Sequence, residues 1–286
     1  MGQALGVEKI EEILGGMKIP SAPAILGELN EIMGHDEPDV GMVADAIGRD
    51  VGIAASVLKT VNSAFFGLKA KINSIRQATA LLGLLNINNI VTGLALKNSL
   101  GEGEGVSPPE FWDSPVNVAL VSAMLAQRYG GIQPDEAYLL GLFQNAGEVM
   151  MVQRFKDGYL NTLYEAREGG LNQTELENER YGTNHAVVAF FLSKGWGLPE
   201  HLCKVIQRHH DASNFLQEEG GAVSLDRTLM AVLKMSEHID ACFWGRKENS
   251  EWMRHGDAVL SYLGVSSIEF LDVTDDMVEL LLMGQE

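Results

Sequence analysis

The chain has few of the features that mark secreted, disulfide-bonded or membrane proteins. Its 286 residues include only two cysteines, Cys203 and Cys242, which form no Cys-x-x-Cys pair, so neither a disulfide framework nor a zinc ribbon is indicated. The longest apolar runs, such as residues 186–192, are far shorter than a bilayer span, and the first residues lack a secretion signal. We therefore expect a cytoplasmic protein without membrane-spanning segments.

Basic residues are also scarce. The sequence has 21 Lys and Arg against 39 Asp and Glu, a formal net charge of −18, which disfavours general binding to nucleic-acid phosphates. One interval differs, since residues 51–101 contain no acidic residue. Its basic residues are Lys59, Lys69, Lys71, Arg76 and Lys97. They form either a contact face for an acidic protein partner or a set of solvated helix ends.

The hydrophobic pattern is helical. Alternating strand patterns bounded by hairpin turns are absent, and apolar residues recur at three- and four-residue steps, for example between residues 53 and 61. Ser74 and Gln77 have the spacing of a capping box that begins a helix, and Asn86 is expected to cap the next one. With 46% hydrophobic residues to fill its core, the chain is predicted to be all-α.

A glycine- and proline-rich stretch divides the predicted helices into two groups. Three glycines between residues 101 and 105, followed by Pro108 and Pro109, cannot continue a helix. We place a lobe boundary there, which gives an N-terminal helical lobe, 1–105, and a C-terminal helical lobe, 106–286. The longer helices predicted for the second lobe are Pro109–Tyr129, Asp135–Arg154, Tyr159–Glu168, His185–Lys194, Pro199–His210, Leu225–Phe243 and a tail from Asp275.

Several segments, in order and spacing, resemble one known family. The first are Ile19–Pro23, Val43–Asp50, Leu58–Gly67, Ser74–Ala78 and Leu81–Gly83; further matches are Phe111-Trp112, Gly141–Gly147, Glu179, Gly182, His185, Gly195–Pro199 and His209-His210. Across residues 10–245 the chain resembles the HDOD (HD-related output domain) family, a degenerate relative of HD-type metal phosphohydrolases. The resemblance implies a two-lobe helical architecture with an HD-like C-terminal lobe, and a bacterial regulatory module without established catalysis.

The segment Gly141–Gly147 is similar to the Gly-Leu-Leu-His-Asp-Ile-Gly segment of HD hydrolases, but Gln144 and Asn145 replace its His-Asp pair. Amide side chains supply neither the imidazole nor the carboxylate that divalent transition metals bind well. By the same resemblance, the remnant HD positions are Ser114, Gln144, Asn145, His185, His209, His210 and Asp240. We therefore expect no catalytic residue and no cofactor.

The remaining histidines have three interpretations: a structural polar cluster, which we favour, a weak metal site, or a working catalytic metal centre. His209 and His210 lie at a predicted helix end, where cations interact with free carbonyls. His185 follows Asn184, a predicted N-cap. Because adjacent residues on a helix point about 100° apart, His209 and His210 are not both expected to face one metal ion. No bound metal is expected; the weak candidates are these three histidines.

The sequence thus predicts a noncatalytic bacterial signal-transduction output or scaffold module that contacts other signalling proteins, with no nucleic-acid or membrane partner. The alternatives are a metal-dependent phosphohydrolase of the HD superfamily and a small-ligand sensor that uses the remnant HD pocket. The candidate partner surface consists of Lys59, Phe65, Phe66, Lys69, Lys71 and Arg76. The oligomeric state does not follow from the sequence.

Overall fold

The computed structural model describes residues 13–62, 70–100, 110–129, 131–217, 224–246 and 249–283. Over these residues the chain forms helices and no strand, which confirms the all-α prediction. The helices are α1 Ala24–Met33, α2 Val40–Gly48, α3 Val51–Val61, α4 Ile75–Leu82, α5 Leu84–Leu100, α6 Glu110–Tyr129, α7 Pro134–Phe143, α8 Ala146–Phe155, α9 Asp157–Glu168, α10 Gln173–Tyr181, α11 His185–Gly195, α12 Glu200–Arg208, α13 Ala212–Gln217, α14 Leu225–Phe243, α15 Ser250–Leu263 and α16 Ser267–Met283.

Local side-chain bonds set the start of several helices. Ser74 Oγ accepts a hydrogen bond from the Gln77 backbone N–H at 3.1 Å, as the capping-box spacing predicts. The prediction that Asn86 caps α5 is wrong, because α5 begins two residues earlier. Gly83, with φ 88°, ends α4 and lets the next helix start at once. The Asn86 amide instead donates to the Leu82 carbonyl at 2.7 Å.

The second half follows the predicted helices with three differences. The expected helix Asp135–Arg154 is broken at Gln144 and Asn145 into α7 and α8, and the tail begins at Ser267 rather than Asp275. Helices α10, α13 and α15 were not predicted; the sequence of α10 is strongly polar, and α13 has only six residues. The proposed lobe boundary falls within residues 101–109, outside the described part, so the division at residue 105 stays a prediction.

Helix α14 lies at the centre of the second half and packs against α6, α7, α12, α13, α15 and α16. Its apolar face is fully buried. The first half of the chain packs against the second half where α5 contacts α7. There the missing side chain of Gly93 on α5 leaves room for the Leu142 side chain on α7. A second link is the hydrogen bond from Trp196 Nε1 to the Pro20 carbonyl at 2.9 Å. Among the described residues, no helix is both long and apolar enough to cross a bilayer.

Candidate functional site

The remnant HD positions meet at one cleft of about 540 Å³. Ser114 comes from α6, Gln144 and Asn145 from the break between α7 and α8, and Asp240 from α14; His210, just after α12, completes the set. The remaining two positions, His185 and His209, are fully buried against His210. The structure therefore places all seven positions in one region.

Two glycines position the break between α7 and α8. A Cβ at Gly141 would lie 2.5 Å from the Ala119 Cα on α6, and a Cβ at Gly147 would lie 2.0 Å from the His185 carbonyl oxygen at the start of α11. Neither approach leaves room for any larger residue. Close packing against α6 on one side and α11 on the other thus fixes where Gln144 and Asn145 lie.

Asp240 is held by hydrogen bonds within the protein. Ser114 Oγ donates to Oδ2 at 2.6 Å, Asn117 Nδ2 donates to Oδ1 at 2.9 Å, and Trp244 Nε1 donates to Oδ1 at 3.1 Å. Burial raises the pKa of Asp240 to about 6, although the hydrogen bonds from Ser114 and Asn117 oppose that rise. Both carboxylate oxygens are therefore engaged by neighbouring side chains, Oδ1 by two donors and Oδ2 by one.

The side-chain amides of Gln144 and Asn145, which stand at the positions of the His-Asp pair, have fewer hydrogen-bond partners than Asp240. Gln144 is 2% exposed, and neither its Oε1 nor Asn145 Oδ1 has a hydrogen-bond partner among the described residues. Buried acceptors without partners are uncommon in folded proteins and are usually met by water or a ligand. These two oxygens therefore leave acceptor capacity at the inner wall of the cleft.

Glu177, on α10, holds His185. The carboxylate accepts from the His185 backbone N–H at 2.8 Å and lies 2.8 Å from its Nδ1. Tyr159 Oη and Gln173 Nε2 also donate to it, at 2.6 Å and 2.9 Å. Burial alone would raise the pKa of Glu177, but the charge and hydrogen bonds of His185 and the other donors lower it to about 2. Glu177 in turn raises the pKa of His185 against the effect of burial.

His209 and His210 both face His185. Helix α12 ends at Arg208, and residues 209–211 form a 3₁₀ turn. The Nε2 atom of His185 lies 3.4 Å from that of His209 and 2.9 Å from that of His210. The expectation against this arrangement holds for a regular α-helix only, and the 3₁₀ turn is the irregular backbone that lets both adjacent histidines face His185. Burial, together with the nearby charges of His210 and Lys234, holds the pKa of His209 well below its ordinary value.

A buried lysine lies behind the histidines. Lys234, 2% exposed, places its Nζ 2.7 Å from Glu237 Oε2 and 3.0 Å from Glu251 Oε1. Sequence reasoning missed all three residues, although a lysine inside the apolar run of α14 is a signal, since a buried lysine requires acidic partners. It also missed Glu177, which has no such signal because α10 is polar throughout; Glu179, which carried part of the resemblance, is exposed.

The candidate partner surface is described in part. Lys59, Lys71 and Arg76 are exposed. Phe65, Phe66 and Lys69 lie outside the described residues. The described part of this surface is therefore basic. Lys59 precedes residues 63–69 in the sequence, and Lys71 and Arg76 follow them.

Comparison with known proteins identifies a family that covers most of the described helices. The HDOD domain profile matches residues 19–212. An uncharacterized protein of Treponema pallidum (strain Nichols) is 23% identical over 201 residues, which cover 70% of this chain but only 39% of that protein. The chain thus spans about two fifths of the length of this relative.

Two crystal structures share the fold. An HDOD domain protein with unknown function from Geobacter sulfurreducens has a TM-score of 0.72 at 21% identity, covering 98% of this chain and 99% of its own. A protein named "Putative phosphohydrolase" from Shewanella amazonensis SB2B has a TM-score of 0.71 at 21% identity, with coverage of 98% and 96%. With the profile match extending over more than half of its residues, the chain belongs to the HDOD domain family.

Proposed function

We propose that this HDOD domain is a noncatalytic output or scaffold module of signal transduction that acts through contacts with other signalling proteins. The observation that carries the proposal is the state of Asp240, whose two oxygens accept hydrogen bonds from Ser114, Asn117 and Trp244. A hydrolytic metal centre needs carboxylate and imidazole ligands with a position left open for water. Here neutral amides stand at the positions of the His-Asp pair, and the carboxylate of Asp240 accepts a hydrogen bond from Ser114, another of the remnant HD positions.

Two other carboxylates around the cleft are also paired. Glu148 accepts from Gln173 Nε2 at 2.7 Å, and Glu251 accepts from Lys234 Nζ at 3.0 Å. A carboxylate that replaced the lost aspartate would have to leave such a partner, and an unpaired buried charge is costly. These contacts favour a pocket whose carboxylates serve internal hydrogen bonds rather than a hydrolytic metal centre.

A basic face supports the second half of the proposal. Lys59, Lys71 and Arg76 are exposed in a chain with a net charge of −18. A locally positive face on an acidic protein steers an acidic partner towards one orientation, and this attraction weakens as salt rises.

A hydrolysis assay tests the noncatalytic part. The purified chain, supplied in turn with Mn²⁺, Mg²⁺, Fe²⁺ or Ni²⁺, is expected to hydrolyse cyclic dinucleotides, nucleotides and generic phosphodiesters no faster than buffer with the same metal. Turnover that survives repurification and disappears in an Asp240→Asn variant, but persists in an Asp257→Asn control, would contradict the proposal. Asp257 lies on α15 and does not line the cleft.

A small-ligand sensor is the second candidate, favoured by the free amide oxygens. The cleft volume of about 540 Å³ falls in the range of small-molecule sites, and Gln144 Oε1 and Asn145 Oδ1 are open to a donor. If such a ligand exists, a nucleotide or cyclic dinucleotide would raise the melting temperature of the wild type more than that of Gln144→Leu, which keeps the apolar volume but removes the acceptor. Equal shifts in both proteins would count against it.

A further inference from the structure

Each of the three histidines has its Nδ1 atom within hydrogen-bond distance of an oxygen outside the histidine cluster. His185 Nδ1 lies 2.8 Å from a Glu177 oxygen, His209 Nδ1 2.7 Å from the Ile206 carbonyl, and His210 Nδ1 3.1 Å from a Glu251 oxygen. A backbone carbonyl and the two ionised carboxylates can only accept, so the hydrogen-bond pattern assigns the proton to Nδ1 in all three rings.

In the neutral form of each ring the Nε2 atom carries a lone pair, and these lone pairs face one another. The Nε2 of His185 lies 3.4 Å from that of His209 and 2.9 Å from that of His210. Acceptors at these distances repel unless a cation lies between them. Nitrogens bound at about 2.0–2.1 Å to one ion lie roughly 3.3–3.4 Å apart at a tetrahedral angle and roughly 2.9 Å apart at a right angle, so the two distances are compatible with a shared ion of irregular geometry.

We propose that His185, His209 and His210 bind one divalent transition-metal ion through their three Nε2 atoms. Their ligand atoms lie within 4.8 Å of one another. Each ring is already oriented by a hydrogen bond from its other nitrogen, the arrangement by which proteins fix histidine ligands and raise their basicity. His185 and His209 are fully buried, while the His210 ring reaches the cleft.

The surrounding charges favour a dication. Glu177, Glu237 and Glu251 carry three negative charges around the cluster, against the positive charges of Lys234 and Arg254. Three imidazoles suit zinc, nickel or iron, whereas magnesium prefers oxygen ligands. The metal that the relationship to HD hydrolases implies thus fits the three histidines and does not fit the dyad position, where Gln144 and Asn145 offer only neutral amides.

This inference is independent of the proposed function. An ion held by three histidines, without the carboxylate at the dyad position, is suited to stabilise the histidine turn or to report metal availability. Metal binding and hydrolysis are measured separately, so either idea can fail without the other. The competing occupant is a single proton shared between two of the Nε2 atoms.

Titration calorimetry on the full chain tests the site. After treatment with a chelator and its removal, the protein is titrated with Zn²⁺, with Ni²⁺ and, as a control, with Mg²⁺. We expect one Zn²⁺ or Ni²⁺ per chain and no Mg²⁺ binding. Loss of one ligand in His210→Gln should weaken binding by roughly 100-fold or more, since changes in the outer residues alone cost about 10–100-fold. His35→Gln, which changes an exposed histidine, should leave affinity unchanged.

A second measurement does not depend on a buried variant folding well. Co²⁺ bound by three imidazoles gives visible d–d absorption bands, which should appear in the wild type with one equivalent and be displaced by Zn²⁺. Absence of saturable Zn²⁺ and Co²⁺ binding by the folded wild type would overturn the proposal in favour of a shared proton. Equal affinity in the wild type and folded His210→Gln, or loss of binding in His35→Gln, would overturn it in favour of adventitious surface binding.

Discussion

The side-chain amide of Asn62 pairs with the backbone of Ile72 in both directions. Its Nδ2 donates to the Ile72 carbonyl at 2.8 Å, and its Oδ1 accepts from the Ile72 N–H at 2.7 Å. The same Nδ2 reaches the Leu58 carbonyl at 2.8 Å. Asn62 therefore ties the end of α3 to Ile72, and these bonds give a structural reason for the asparagine in the segment Leu58–Gly67.

Replacing Asn62 by alanine should destabilise the fold. The variant leaves the N–H and carbonyl of Ile72 without their partner, and the expected loss is about 1–3 kcal/mol in the free energy of unfolding. Urea unfolding followed by circular dichroism measures it. Asn73→Ala is the matched control: Asn73 is exposed and its side chain makes one long bond of 3.4 Å, so its effect should stay within about 0.5 kcal/mol. Equal losses in both variants would contradict this role for Asn62.

Charge reversal at Lys59 and Lys71 should abolish partner capture. Both side chains are exposed, so the double Glu variant should fold with an unchanged melting temperature while it repels an acidic partner. Capture from a lysate of the source cells, with partners identified by mass spectrometry at two salt concentrations, measures this. Lys18→Glu/Lys204→Glu, with the same change in net charge, should keep the partner. Capture that is unaffected in the first variant would point to another surface.

Asp240 should make stability depend on pH in an unusual direction. Its folded pKa of about 6 lies above the ordinary value of 3.8, so the folded state binds more protons between these values and stability falls as pH rises through that window. Between pH 4.5 and 7.5 this amounts to about 2 kcal/mol. Asp240→Asn should lack this contribution.

Denaturant unfolding of both proteins at the two pH values isolates the effect of Asp240, because all other titrating groups are shared. The change in stability from pH 4.5 to 7.5 should be more negative in the wild type than in the variant. An identical change in both proteins would mean that Asp240 titrates near its ordinary pKa.

Glu177→Gln should be strongly destabilising. The substitution removes the charge that faces His185 and disrupts a carboxylate that accepts from Tyr159 and Gln173 as well. Breaking a buried charged pair typically costs about 3–5 kcal/mol. Glu179→Gln, two residues later and exposed, should change stability by less than about 0.5 kcal/mol. A thermal or urea unfolding comparison of the two variants in which Glu177→Gln is as stable as the control would refute the importance of this pair.

Local signals predicted the parts of the fold that depend on local physics. The Ser74 cap and the limits of α14 follow from capping residues and a strong apolar period. Helix α10 escaped prediction because its polar sequence lacks an apolar period, although Asn172 caps its start and Gly182 its end. The site was foreseeable as a set of residue types, whereas the convergence of His209 and His210 on His185 depends on a 3₁₀ turn that residue periodicity does not encode.

The close backbone contacts at Gly141 and Gly147 hold the segment between α7 and α8 in place independently of the side chains that it carries. Backbone contacts with α6 and α11, rather than the side chains at positions 144 and 145, determine the path of the chain there. Side chains at those two positions can therefore be exchanged while the helices around them stay in place. A reactive pair could thus be removed or restored at these two positions within an unchanged frame.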